Sequence, residues 1–411
     1  VKEMLIQKRN GLYQDYDAYK IKSAIQKAFQ SLQVQIDEGQ LNELVYDVEK
    51  QVYEKMSVEK IQDVVEETLM KYGYHQVAKA YILYRQKHSE NRAVIWDLIE
   101  ILNDKELIEL FENIQKDYPQ DEYSLKFLLI KLKTFYKNNM NQKEAFQMLI
   151  KASVELISKD APKWEMISAR FLNYQIHKTI KEKMQQLNIS SFYEKIKYLT
   201  NEGYYGRYIL ENYTKADIDE LSSYIKEERN ELFTYSGLEL VMKRYLIQNH
   251  EREILEKPQE MFMGIAMHLA IPEQERVKWA KEIYDILSTL KVTMATPTMS
   301  NARKPFHQMS SCFIDTVDDS LAGIYKSIDN FAKVSKHGGG MGLYFGKVRA
   351  NGSSIRGFKG AAGGVIRWIK LVNDTATAVD QLGVRQGAAA VYLDAWHKDL
   401  PEFLQLRTNN G

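Results

Sequence analysis

Cys312 is the only thiol in the chain and stands in the run Met309-Ser310-Ser311-Cys312-Phe313. A lone cysteine on a strand is most often a small buried hydrophobe; the chemical alternative is a redox group, which needs a second thiol. Downstream, Lys336-His337-Gly338-Gly339-Gly340-Met341-Gly342 joins three glycines. Adjacent glycines either make a turn or let backbone amides approach an oxygen anion closely. This is no Walker A loop, because Met341 stands where a glycine is needed before Gly346-Lys347, and Val348 replaces the hydroxyl residue. Asp318-Asp319-Ser320 sets a carboxylate and a hydroxyl at a helix start, where they can hold a ribose or cap the helix. Arg349 and Arg356 flank an Asn351-Gly352 turn, a cationic loop suited to phosphate. The segment Gln381-Leu382-Gly383-Val384-Arg385-Gln386-Gly387 offers one planar cation between glycines, either a surface turn or a guanidinium able to lie over a base. Near the N-terminus, Lys8-Arg9-x-Gly11 and Lys20-Ile21 put three cations near a turn and a helix start. A triphosphate needs such cations and exposed amides, although a solvated cluster on a hairpin has the same composition.

The elements that must position these residues can be read from periodicity. Met4-Leu5-Ile6 is a short apolar strand, and Asn10-Gly11 is a strong hairpin signal. Ile21, Ala24, Ile25, Ala28, Phe29 and Leu32 form one helical stripe; Val58, Ile61, Val65 and Leu69 mark a second helix, and Val77, Tyr81 and Tyr84 a third. Tyr81 and Tyr84 read as core, the alternative being stacking on a base. Residues 1–91 therefore form an α+β unit. Residues 92–285 are helix-rich, with a stop and restart at Ser158-Lys159-Asp160-Ala161-Pro162, where Asp160 suits an N-cap and Pro162 the first turn. In residues 286–411, strand-like pieces at Val292 to Ala295, Ser311 to Ile314 and Ala388 to Leu393 alternate with helices and glycine loops, as in an α/β domain. Thr296-Pro297-Thr298-Met299-Ser300-Asn301 reads as a turn.

The bulk composition bounds the function. The 411 residues suffice for two or three cores, and 45% hydrophobic with 27% charged is ordinary globular usage. A net charge of +1 gives no global pull toward nucleic acid. No apolar run reaches a membrane span and residues 1–30 are too charged for a signal peptide, so a cytoplasmic setting is expected. One cysteine excludes an internal disulfide and a cysteine-based zinc site, and no metal site is expected.

Two resemblances rest on these motifs. Lys8-Arg9, Lys20-Ile21, the run Ser57 to Glu66 and the run Val77 to Arg85 occur in the order of an ATP-cone. The resemblance implies an allosteric site for ATP or dATP, with Lys8, Arg9, Lys20 and Ile21 on phosphate and base, Gln62 near the sugar, and Gln14 where some relatives carry an acidic residue. From Thr293 to Gly411, and back to Leu149 to Ala152 and Asp160 to Glu165, the chain resembles the large subunit of ribonucleotide reductase. That implies a ten-stranded α/β barrel of which this chain holds the helical domain and roughly the first half. It implies that Cys312 is one of a redox pair, that Thr296 and Ser311 bind substrate phosphate, that Gly339 and Gly340 border the ribose, and that Arg385 contacts the substrate side. Asp319, Ser320, Arg349, Arg356 and Gln381 would hold a dNTP effector that selects the substrate.

The same resemblance implies partners: a radical-generating small (beta) subunit, a second copy of the chain in an alpha dimer, ribonucleoside diphosphates, and a thioredoxin or glutaredoxin type reductant, without nucleic acid or membrane. Such chemistry needs an initiating thiyl cysteine and a second redox thiol, and this chain has a single cysteine. The expectation is an incomplete enzyme, inactive alone. Two other readings stay open, a stand-alone nucleotide-sensing cone and a fragment of the cobalamin-dependent branch.

Overall fold

The computed structural model describes residues 4–9, 11–379 and 385–408. The chain divides into two compact units, Val1–Ala161 and Pro162–Gly411. In the first, β1 (Leu5–Gln7) and β2 (Tyr13–Asp15) pair antiparallel with Ile6 opposite Gln14. Gly11 between them has φ +82°, the left-handed region that glycine enters without a Cβ clash. Asp17 caps α1 (Ala18–Ser31) by accepting from the Tyr19 amide, and the helix buries Ile25, Ala28 and Phe29. α2 (Glu38–Glu49), a helix the motif reading passed over, buries Leu41, Leu44, Val45 and Val48 at the same helical spacing. α3 (Val58–Lys71) is capped by the Ser57 hydroxyl and buries Ile61, Val65 and Leu69.

Val77, Ala78 and Tyr81 of α4 (His75–Leu102) close this core. Full burial of a side chain such as Phe29 or Leu69 contributes about 1.5–3 kcal/mol, so the matched helical stripes, not the three-residue strands, hold the unit together. Tyr84 corrects the sequence reading: at 46% exposure it lies outside the core, against the His88 ring. It falls at the edge of the stripe that Val77, Ala78 and Tyr81 bury. α4 also runs unbroken through residue 91 and ends at Asn103, a left-handed C-cap. α5 (Leu107–Asp117), α6 (Leu125–Phe135) and α7 (Gln142–Glu155) complete the unit, α7 opening on an Asn141/Glu144 capping box.

The helix restart is real but its cap is not the expected one. The Ser158 hydroxyl, not Asp160, takes the Ala161 amide at 3.1 Å, and α8 (Trp164–Gln186) begins two residues beyond Pro162. α9 (Phe192–Asn201), α10 (Tyr208–Asn212), α11 (Lys215–Tyr224) and α12 (Tyr235–Arg244) follow. α13 (Pro258–Ala270) is buried almost all round, with Met261, Phe262, Ile265 and Met267 in the core and Glu260 paired with Lys195, and α14 (Arg276–Ser288) packs along it.

Two local expectations fail at the start of the α/β region. Val292 to Ala295 joins no sheet, and Thr296–Asn301 is not a turn but a short buried helix, α15. Pro297 suits its first turn, and the Arg303 guanidinium accepts no bond but donates to the Met299 and Ala302 carbonyls at 2.9 Å each, closing its last turn.

Beyond it, β3 (Cys312–Thr316), α16 (Leu321–Lys336), β4 (Gly340–Tyr344), α17 (Ile366–Ala378) and β5 (Ala389–Tyr392) make two consecutive β-α-β crossovers, and α18 (Leu400–Phe403) follows. The three strands are parallel in the order β3-β4-β5, with Cys312 opposite Gly340 and Met341 opposite Ala389. Strand alternation sorts the faces. Phe313, Met341, Leu343 and Val391 pack on the helices, while Cys312, Ile314, Gly340, Gly342 and Tyr392 share the other face, where Ile314 is 89% exposed. Among the described residues no helix is long and apolar enough to cross a membrane.

Candidate functional site

Of the cations singled out in the sequence of the first unit, Arg9 meets α3. The Arg9 Nη2 donates to Gln62 Oε1 at 2.8 Å, and its Nε lies 3.6 Å from Glu59 Oε1. Two sequence candidates, Arg9 and Gln62, are thus brought together from 53 residues apart. Lys8 sits in the hairpin turn, where its amide donates to the Leu12 carbonyl. Lys20 opens α1, Gln14 lies on β2, and Ile21 packs on the core. Among the described residues no hydrogen bond or ion pair links the side chains of Lys8, Gln14 or Lys20 to the Arg9–Gln62 pair.

Three further cationic or titratable residues lie near this pair: Arg85 ends the Val77 to Arg85 run, while His88 and Arg92 lie beyond it and escape the motif reading. Arg85, His88 and Arg92 recur at i, i+3 and i+7 on α4 and therefore share a face, a signal present in the sequence. Arg85 donates to Asp63 at 2.6 Å and Glu66 at 2.9 Å. Burial pulls its guanidinium down, and the two carboxylates more than offset this, leaving its pKa raised. Arg9 is lowered by burial and then by Arg92. His88 is likewise lowered by burial, then by Arg92, Lys27, Lys87 and Arg9. Arg9 and Arg92 thus repel one another, and a polyanion placed between them would relieve that repulsion.

In the second unit Cys312 is exposed on the open sheet face, which removes the buried-hydrophobe alternative. The Ser311 hydroxyl reaches its Sγ at 3.4 Å. Gly339 is required by packing, since a Cβ there would lie 2.6 Å from Val334 and 2.7 Å from the Phe313 ring. Gly340, beside Cys312 in the register, is not forced by packing: an added Cβ would make ordinary contacts at 3.7 Å with the Ser311 and Ala388 carbonyls. Arg385 donates from Nη1 to the Ser311 and Gly338 carbonyls, both at 3.0 Å, clamping the start of the cysteine strand to the glycine loop. Thr296 opens α15 with its hydroxyl 3.4 Å from that of Tyr245, and α15 reaches toward the cysteine through Asn301, which donates to the Gln308 carbonyl at 2.8 Å.

The effector candidates split. Ser320 caps α16, its hydroxyl accepting from the Gly323 amide at 3.0 Å. Asp319 binds Arg349 through Nε at 2.9 Å and also takes the Arg349 amide at 3.1 Å, so these two are joined. Arg356 stands apart in the next turn, in the left-handed region at φ +51°. Gln381 lies outside the described residues. Asp399, missed in the sequence, fixes the loop: it is buried and accepts from the Asn351 and Val365 amides at 2.9 Å each. Gly364 must be glycine for this, because a Cβ would lie 2.5 Å from the Asp399 carboxylate.

Near α15, the Tyr208 hydroxyl donates to the Lys304 carbonyl at 2.9 Å and lies 2.8 Å from His268 Nδ1. Burial, then His307 and Arg303, lower His268 from its ordinary 6.5 to about 4. The folded chain therefore binds fewer protons than the unfolded one between those values. Stability is full above about pH 6.5 and is lost as pH falls toward 4, by about 1–2 kcal/mol after allowance for solvent screening. Urea unfolding at pH 7 and pH 5 is expected to show this loss in the wild type and a smaller one in His268→Asn. Among the described residues no group of three or more His, Cys, Asp or Glu side chains could hold a metal ion.

The ATP cone domain family matches residues 4–90, the all-alpha domain of ribonucleotide reductase matches 231–307, and its barrel domain matches 310–411. The chain is 52% identical to the ribonucleoside-diphosphate reductase subunit alpha of Treponema pallidum, over 99% of this chain and 50% of that protein. It is 40% identical to the subunit of the same name from Helicobacter pylori, over 67% of this chain and 34% of that one, and 32% identical to that of Chlamydia trachomatis, over 98% and 42%. An ATP-cone, a helical domain and a barrel-domain sheet with one thiol define the class, and the chain belongs to the ribonucleotide reductase large-subunit family, matching its N-terminal part. It spans about half the length of the Treponema relative and less of the others.

Proposed function

We propose that the chain forms the effector-binding and first substrate-binding part of a ribonucleoside-diphosphate reductase alpha subunit. Its parts are residues 1–91 as an ATP/dATP activity switch, 92–285 as the helical domain, and 286–411 as the start of the barrel. Cys312 acts as one thiol of a redox pair: two cysteines become a disulfide, the ribose 2′-carbon gains two electrons, and its hydroxyl leaves as water. Thr296 and Ser311 hold substrate phosphate, Gly339 and Gly340 border the ribose, and Arg385 orders the strand beneath it. Asp319, Ser320, Arg349, Arg356 and Gln381 hold a dNTP effector independently of the cone, near an alpha dimer interface. A small subunit supplies the radical and a thioredoxin or glutaredoxin type protein reduces the disulfide, in the cytoplasm.

One observation carries most of this reading: the only thiol of the chain is exposed on the open sheet face, opposite Gly340 of the glycine loop. The test is dCDP formation from CDP with the small subunit, ATP and dithiothreitol. Turnover is expected only when the rest of the barrel is supplied, in the same chain or as a second polypeptide, and Cys312→Ser is expected to reduce it to background. Turnover by these 411 residues alone, or full activity of Cys312→Ser in the complemented enzyme, would overturn the assignment.

A further inference from the structure

The two arginines of the cone that face α3 are already held by carboxylates. Arg9 comes from the hairpin and lies 3.6 Å from Glu59, and Arg85 comes from α4 and donates to Asp63 and Glu66 at 2.6 and 2.9 Å. The Arg85 Nη2 also reaches the Glu59 carbonyl at 3.5 Å, so Glu59 lies between the two guanidinium groups. Glu59, Asp63 and Glu66 stand at i, i+4 and i+7 on α3 and form one acidic row along a single helix face. The row and a phosphate chain need the same N–H edges. A guanidinium offers five donors in a fixed fork, so two anions can share it only partly.

The arginine side chains are about a quarter exposed, at 26% and 24%, so the competition is only partly screened by water. The Glu59 and Asp63 side chains are 62% and 56% exposed, free to swing into solvent when displaced, whereas Glu66 at 18% stays in place. Without this row Arg9, crowded by Arg92 and Arg85, would lose the carboxylate that offsets their repulsion, a state that both lowers stability and favours polyanions.

We propose that the acidic row of α3 is a built-in competitor of the phosphate chain, which weakens the binding of a nucleoside polyphosphate to the cone and sets its affinity. The inference rests on the nucleotide reading of the cone and adds the residues that tune it. Its signature follows from charge. A triphosphate spans both arginines and meets the whole row, whereas a monophosphate reaches one arginine and meets part of it. Neutralising the row therefore helps ATP more than AMP.

The test is calorimetric titration of the full 411-residue chain with ATP and with AMP, reading the component that Arg9→Ala removes. Glu59→Gln combined with Asp63→Asn is expected to tighten ATP by about tenfold and AMP by no more than about threefold, the scale of a few partly exposed ion pairs. Glu109→Gln, which removes one exposed acid on α5, is expected to change neither and is the charge control for Glu59→Gln alone. If the double variant melts early, Glu59→Gln alone is expected to tighten ATP by about threefold. Unchanged or weaker ATP binding in the variants, with a clear Arg9-dependent component in the wild type, overturns the competitor and leaves the cone reading intact. Equal gains for ATP and AMP also overturn it. The absence of any Arg9-dependent component in the wild type overturns the cone reading itself, and the competitor with it.

Discussion

Glu256→Ala is expected to destabilise the second unit by about 3–5 kcal/mol, the cost of leaving a buried charge without its partner. Arg303 is fully buried, and Glu256 is 1% exposed. The guanidinium binds the carboxylate with both Nε (2.9 Å) and Nη2 (2.6 Å), while Glu256 also accepts from the Tyr205 hydroxyl and, at 3.2 Å, from the Ile247 amide. Removing the carboxylate strands the arginine and both donors. Replacing the pair with apolar residues, Glu256→Leu with Arg303→Met, is expected to cost less than Glu256→Ala but not to be neutral. Arg303 also serves the Met299, Ala302 and Tyr245 carbonyls, which would be left unpaired. Denaturant unfolding followed by tryptophan fluorescence gives the comparison, and a loss under 1 kcal/mol in Glu256→Ala would refute the account. The effect should reach the cysteine strand, because Arg303 closes α15, and α15 holds the Gln308 carbonyl four residues before Cys312.

The second large effect is expected in the cone. Lys8→Ala combined with Arg9→Ala should weaken ATP binding by more than tenfold, since each charge-assisted bond to phosphate contributes about 1.5–3 kcal/mol and 1.4 kcal/mol is a factor of ten. Arg9 is the stronger member, being held in place by Gln62 and lowered by burial and by Arg92, so a phosphate there relieves repulsion as well as forming bonds. Lys8 has no such constraint and contributes mainly field. The loss should shrink at high salt, where screening removes the long-range part first. Calorimetry showing equal ATP affinity in the double variant and the wild type would remove the nucleotide assignment from this hairpin.

Much of the molecule was legible because its signals are local. The stripe of α1, the Ser320 cap, the glycines at 339 and 340 and the alternation around Cys312 are all set by residues within a turn or a strand of one another. The α2 stripe and the His88 and Arg92 continuation of the Arg85 face on α4 were equally local and lie outside the motif runs. The expected turn gave way to a helix where side-chain bonds from just beyond the segment override local preference. Thr296–Asn301 looks like a turn on account of its proline and small residues, and it is a helix because Arg303 and the Gln308 carbonyl bond its end and side.

By itself the sequence determined the order of the domains, the periodic faces that build each core, and the thiol and glycines that belong to one strand pair. Only the tertiary structure decided which charges meet. Arg9 finds Gln62 across 53 residues, and Arg303 finds Glu256 across 47. Helix and strand propensity act over a few residues, so they leave a readable period. An ion pair depends on the path of the chain between its partners, and on burial that strips water from both, and neither leaves a period in the sequence.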